Sequence, residues 1–96
     1  GGEGETNEVT GCYLGDLLSW VMGRARSGDV WITVMGNINA VAVAVLTDVS
    51  AIVLADNAAL DDEAKARAES QGVPIYSTDR NIYDSAVAVH GILTHE

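Results

Sequence analysis

The chain has 96 residues, a hydrophobic content of 48% and a formal net charge of −9. A chain of this length folds as one small domain, and its apolar content excludes a disordered protein. Lys and Arg total 5 against 14 Asp and Glu, which argues against nucleic acid and anionic membranes as partners, because clustered cations bind phosphates. The single cysteine, Cys12, excludes an intrachain disulfide and fits a reducing cytoplasmic location. No run reaches the roughly 20 apolar residues of a membrane span.

The first half of the chain contains two strand-like stretches separated by a helix-like one. Residues 9–13 and 30–35 are rich in β-branched and aromatic side chains, which predicts strands. Between them, residues 16–26 carry apolar side chains at offsets 0, 1, 4, 5 and 8, which predicts an amphipathic helix. We expect Asp16 or Gly15 to lie near the start of this helix and Gly28 to be the C′ residue that ends it.

Residues 38–46 alternate Val and Ala, a period that fits a strand. Alanine is poor in strands, however, and Asn37 or Asn39 supplies a helix N-cap. We therefore predict a short, almost wholly apolar helix that is buried on most sides. The second half of the chain then continues with predicted strands at residues 50–55 and 73–77 and predicted helices at 61–71 and 81–93.

The predicted order is β-α-β-α-β-α-β-α over a single domain at residues 8–93. We expect residues 1–7, rich in Gly and Glu and without an initial Met, to be a mobile lead-in from a processed or trimmed chain. Right-handed crossovers then give a three-layer α/β/α fold, with a mostly parallel sheet of four to five strands and helices on both faces. In such sheets ligands bind at the carboxyl ends of the strands.

Six segments carry a resemblance to a known family. They are VTGCY at 9–13, DLLSWVMG at 16–23, WITV at 31–34, NAVAVA at 39–44, AIVL at 51–54 and GVPIYST at 72–78. Together they resemble small stand-alone bacterial proteins of the DRTGG-domain family, which are described as related to HPr kinase. The resemblance implies a fold similar to the N-terminal domain of HPr kinase/phosphorylase. Related domains lie within phosphotransacetylases and beside CBS modules in regulated pyrophosphatases, so it also implies a non-catalytic regulatory or dimerising role.

The signature that names the family falls near residues 36–39, where Asn37-Ile38 replaces its acid–Arg pair. No kinase function carries over, because HPr kinases hold their P-loop in another domain and this chain has no such motif. The predicted carboxyl edge nevertheless gathers polar groups suited to a small anion or a nucleotide. The same residues also suit helix caps and turns. The candidate ligand-binding residues are Gly36, Asn37, Asn39, Ser77, Thr78 and Arg80.

An interface is the second candidate function. Trp20 and Trp31 are either core anchors or contact residues, and an all-apolar helix at 38–46 must be covered on both sides. We therefore expect a homodimer with Trp20, Val41 and Val45 at the contact. The hypotheses are a regulatory module that senses a small anion or nucleotide, and a module that only dimerises or docks on a partner metabolic or redox enzyme.

Catalysis and metal binding find little support in the residue types. Cys12 has no base nearby in sequence, and His90 and His95 lack a metal-ligand spacing. The acidic run at 61–63 fits the start of a helix better than a cation site, because adjacent carboxylates on a helix point in different directions. We expect no catalytic residues, no metal and no cofactor.

Overall fold

The computed structural model describes residues 9–94, so the predicted lead-in over residues 1–7 lies outside the described residues. Strands and helices alternate throughout, as the sequence predicts. The strands are β1 (Gly11–Leu14), β2 (Asp29–Thr33), β3 (Ala51–Leu54) and β4 (Ile75–Ser77). The helices are α1 (Leu18–Arg24), α2 (Ile38–Thr47), α3 (Asp62–Gln71) and α4 (Ile82–Thr94). The predicted α/β fold is confirmed.

The described strands form one parallel sheet in the order β1-β2-β3-β4. Each strand therefore pairs with the next one along the chain, so right-handed crossovers place α1, α2 and α3 on the same face. In agreement, α1 packs on α2 and α2 packs on α3, whereas α4 packs on β1 and β2. The helices are thus divided unevenly between the two faces of the sheet.

The main core lies between the sheet and helices α1 and α2. Trp31 at its centre is fully buried, and its indole Nε1 donates a hydrogen bond of 2.8 Å to the carbonyl of Gly15. Because neighbouring side chains of a strand alternate between faces, Val30 and Ile32 point to the opposite side. There they pack with residues of α4, namely Ile82, Ala86 and Val89.

The ambiguous segment is the helix α2. The side chain of Asn37 caps it by accepting a 3.0 Å hydrogen bond from the amide of Ala40. The expectation that this helix is buried on most sides is wrong, because only one side of it faces the core. Its buried residues are Ala40, Val41, Val43 and Ala44, and its exposed apolar residues are Ala42, Val45 and Leu46.

Helix α1 is shorter than predicted. Asp16 does not cap it, because this carboxylate accepts hydrogen bonds from the hydroxyl of Thr33 at 2.6 Å and from the amide of Val34 at 3.1 Å. The helix ends at Arg24, and the next residue is already extended. Gly28, with φ of 91°, is therefore not its C′ residue but part of the turn into β2. No helix within residues 9–94 is both long and apolar enough to cross a bilayer.

Candidate functional site

The residues predicted to bind a ligand lie at the carboxyl edge of the sheet, but in two separate groups. Gly36, Asn37 and Asn39 follow β2, whereas Ser77 is the last residue of β4 and Thr78 and Arg80 follow it. Strand β3 lies between β2 and β4, so the loop that follows β3 stands between the two groups. The structure therefore brings each group together locally and does not join them into one cradle.

Gly36 has a packing role that the sequence did not indicate. A Cβ atom at this position would collide with the carbonyl oxygen of Ala59 and lie 3.1 Å from the Cα of Leu60. The carbonyl of Gly36 also accepts a 2.9 Å hydrogen bond from the amide of Asp61. The missing side chain thus lets the loop before α3 pack directly on the turn after β2.

The polar groups after β4 are used within the turn. The amide of Arg80 donates to the hydroxyl of Thr78 at 3.1 Å, and the carbonyls of Thr78 and Arg80 accept from the amides of Asn57 and Asp56. These two acceptor bonds hold the loop after β3, in which Asp56 and Asn57 both adopt left-handed backbone angles. Ser77 and Arg80 are exposed. The capping and turn interpretation therefore accounts for much of this group's hydrogen bonding.

The charge at the carboxyl edge is unfavourable for an anion. Arg80 is the cation of the described loops at this edge, whereas the loops after β1, β3 and β4 carry carboxylates and the loop after β2 carries none. Carboxylates in neighbouring loops oppose the binding of a phosphate, even where backbone amides are available. The carboxylates in these loops are those of Asp16, Asp56, Asp61 and Asp79.

A cleft at the opposite edge of the sheet, where β1 and β2 begin, carries more positive charge. It has a volume of about 420 Å³, and Thr10, Arg24, Arg26 and Asp29 are among its lining residues. Asp29 is 8% exposed, and its Oδ2 accepts a 2.8 Å hydrogen bond from the backbone amide of Arg26. Sequence analysis did not identify this site, although a pair of arginines two residues apart is a signal in a chain with 5 cations.

Cys12 lines the same cleft and is half-buried. Burial raises the pKa of its thiol, and the neighbouring carboxylate of Asp29 raises that pKa further. The thiol therefore holds its proton more firmly than an ordinary cysteine, which makes it a weak nucleophile near neutral pH. Within residues 9–94 no group of three or more potential ligand side chains is placed to hold a metal ion.

The residues predicted for an interface differ in their exposure to solvent. Trp20 is 54% exposed, and the guanidinium of Arg24 lies 4.1 Å from the centre of its ring. Val45 is also exposed, at 42%. The prediction for Val41 is corrected: it is 1% exposed because it packs against α3, so it has almost no surface left for a second subunit. The two tryptophans also differ, since Trp31 lies in the core.

Comparison with known proteins agrees with the resemblance seen in the sequence. The family model of the DRTGG domain matches residues 2–92, almost the whole chain. No curated protein and no solved structure matches the chain. DRTGG domains are regulatory in type. The parallel α/β fold and the extent of the match lead to one conclusion: the chain belongs to the DRTGG-domain family.

Proposed function

We propose that this chain is a non-catalytic regulatory module that works as a homodimer, with the outer side of α2 as the contact between the two copies. The observation that carries the proposal is the composition of this helix. None of its ten residues is charged, although the chain has 14 acidic residues. Its exposed apolar residues, Ala42, Val45 and Leu46, form the α2 patch.

The exposure of the α2 patch supports a partner on this side. Leu46 is 70% exposed and lies beside Val45 on a helix whose other side is already in the core. Arg67 and Gln71 of α3 line the groove that runs along the patch. Burying a Leu side chain contributes about 1.5–3 kcal/mol, so covering Leu46 contributes about 1–2 kcal/mol in each copy.

Charge favours a second copy of this chain at that position. Two chains of net charge −9 repel each other, and the repulsion is smallest where the facing surfaces carry no carboxylates. Helices α1 and α2 contain no acidic residue, and Arg67 and Gln71 line the groove beside the α2 patch. The exposed Asp48, which follows α2 directly, is the nearest carboxylate along the chain. A two-fold contact through this face thus keeps most of the negative charge on the outside of the dimer.

The non-catalytic part of the proposal is supported by the chemistry of the described residues. The raised pKa of Cys12 makes a thiolate nucleophile scarce at neutral pH. His90 lies on α4, and hydroxyl groups such as that of Thr78 take part in turn hydrogen bonds. No arrangement of nucleophile, base and orienting group is apparent from these contacts.

Sedimentation equilibrium at micromolar protein tests the proposal with a matched pair of variants. Leu46→Glu places a carboxylate in the α2 patch, and Ile92→Glu makes the same change on α4 at a residue that is 65% exposed. We expect a wild-type dimer that Leu46→Glu weakens by roughly 30-fold or more, from the burial energy lost in two copies. Ile92→Glu should leave the dimer intact. A monomeric wild type contradicts the dimer, and dissociation by Ile92→Glu alone contradicts the assignment to α2.

A further inference from the structure

The cleft where β1 and β2 begin is not used by the proposed dimer contact. Two arginines and one aspartate are among its lining residues, whereas the chain as a whole carries a net charge of −9. Arg24 and Arg26 supply the positive groups, and Thr10 and Ser27 also line the cleft. The Ser27 hydroxyl donates a 2.7 Å hydrogen bond to the carboxylate of Asp48. A volume of about 420 Å³ is within the range of small-molecule sites.

The position of Asp29 makes this cleft more than a patch of positive charge. Its side chain is largely buried and is fixed from one side by the bond between Oδ2 and the Arg26 amide. The other oxygen, Oδ1, accepts no hydrogen bond from the residues that the structure describes. A carboxylate held in this way offers a free acceptor at a fixed position.

The backbone of Gly11 packs directly against this oxygen. A Cβ atom on Gly11 would lie 2.5 Å from Oδ1 of Asp29, which is too close for ordinary contact. Any other residue at this position would therefore cover the acceptor or displace it. Gly11, Asp29 and the arginines together form a cleft with an acceptor and a positive region next to each other.

The geometry points to a binding site for a phosphorylated sugar or a nucleotide in this cleft. The guanidinium groups of Arg24 and Arg26 bind the phosphate, for which their planar donor arrangement is well suited. A sugar hydroxyl donates to Oδ1 of Asp29, as ribose hydroxyls do to carboxylates in dinucleotide sites. The ligand then needs both a phosphate and a sugar hydroxyl. A bare anion is repelled by Asp29, and a neutral sugar makes no contact with the arginines.

Titration calorimetry with four probes tests this requirement. We expect ribose 5-phosphate to bind more tightly than inorganic phosphate, and ribose to show no binding at millimolar concentration. Adenosine 5′-monophosphate should bind at least as tightly as ribose 5-phosphate, because it contains the same two groups. The absence of binding by both phosphorylated compounds, or equal binding of phosphate and ribose 5-phosphate, overturns the proposal.

Arg26→Gln tests whether binding takes place in the cleft, and Lys65→Gln is its matched control. Arg26→Gln should weaken ribose 5-phosphate binding by roughly ten- to hundredfold, the value of a charged hydrogen bond. Lys65→Gln removes the same charge from α3, away from the cleft, and should change the affinity by less than about threefold. Equal effects of the two variants would show that binding follows net charge and is not made in the cleft.

Asp29→Asn separates the two parts of the proposed site. The amide has the size of the carboxylate and still accepts from the Arg26 amide, but it has no negative charge and offers a donor in place of the free oxygen. We expect weaker binding of ribose 5-phosphate together with tighter binding of inorganic phosphate. A loss of affinity for both probes in a variant with wild-type thermal stability contradicts the role assigned to Asp29. Arg26 is exposed, so Arg26→Gln gives a result even if Asp29→Asn fails to fold.

Discussion

The substitution Gly36→Ala tests whether Gly36 is required for packing or belongs to a ligand-binding site. Placing a Cβ atom here by Gly36→Ala drives it into the backbone of Ala59 and Leu60. Backbone atoms cannot rotate away as the end of a side chain can, so the loop before α3 has to move. We therefore expect the substitution to lower the stability of the fold whether or not any ligand is present.

The size of the effect follows from two contacts. Overpacking a tight site costs about 1–3 kcal/mol. Moving the loop also weakens the 2.9 Å hydrogen bond from the Asp61 amide to the Gly36 carbonyl, which contributes about 0.5–1.5 kcal/mol. The sum is about 2–4 kcal/mol, and for a domain of this length it lowers Tm by roughly 8 °C or more.

Thermal unfolding followed by circular dichroism measures this change, and Gly23→Ala is the matched control. Gly23 lies in α1, and a Cβ atom there has no heavy atom within 4 Å. Alanine is the better helix residue, so this control should raise stability by up to about 1 kcal/mol. If Gly36→Ala instead keeps a Tm close to that of the wild type, the packing argument is refuted and the ligand-cradle interpretation of residues 36–39 regains support.

Three further substitutions test separate contacts by denaturant unfolding. Asn37→Ala removes the cap of α2 and should lower the free energy of unfolding by about 1 kcal/mol. The control Asn39→Ala changes an exposed residue and should stay within about 0.5 kcal/mol of the wild type. Equal effects of the two substitutions contradict the cap assignment. Thr33→Val keeps the shape of a fully buried side chain but removes the hydroxyl that donates to Asp16 and accepts from the Met35 amide, and should cost about 1–2 kcal/mol; no loss would mean that these two bonds contribute nothing. The pKa of the Cys12 thiol is higher in the folded chain than in the unfolded chain. The protonated thiol therefore contributes stability that is complete below the ordinary thiol pKa and is lost as the pH rises through the raised pKa of the folded chain. Stability should therefore fall less steeply above about pH 8 in Cys12→Ala than in the wild type, and parallel pH curves would contradict that shift.

The order of the elements could be predicted from the sequence because each has a strong local signal. The run WIT in β2 is β-branched and aromatic, and α2 begins after an asparagine that caps it. The bounds of α1 could not be predicted, because they depend on a contact between distant residues. Asp16 is a good helix cap by type, but Thr33 lies 17 residues away in sequence and takes its carboxylate.

The orientation of α2 was equally inaccessible from sequence. Val41 and Val45 are one turn apart on a helix with no polar side to mark its exposure, and both were predicted at an interface. The structure buries Val41 because Ala64 and Ala68 of α3 are small and allow the two helices to pack closely. Val45 lies one turn further along and remains exposed. The difference between them comes from the neighbouring helix and not from α2.

The cleft and the exposed tryptophan share Arg24, which leads to one last expected outcome. Its guanidinium stacks on Trp20 at 4.1 Å, and Arg24 is also one of the residues that line the cleft. An exposed cation–π contact contributes about 0.5–1 kcal/mol, less than the roughly 1.5–3 kcal/mol of a charged hydrogen bond. A phosphate in the cleft should therefore draw the guanidinium from the ring and change the emission of Trp20. Titration with ribose 5-phosphate should change the fluorescence of the wild type but not that of Trp20→Phe, in which the buried Trp31 is the remaining tryptophan. An equal change in both proteins would show that Arg24 does not leave the ring on binding.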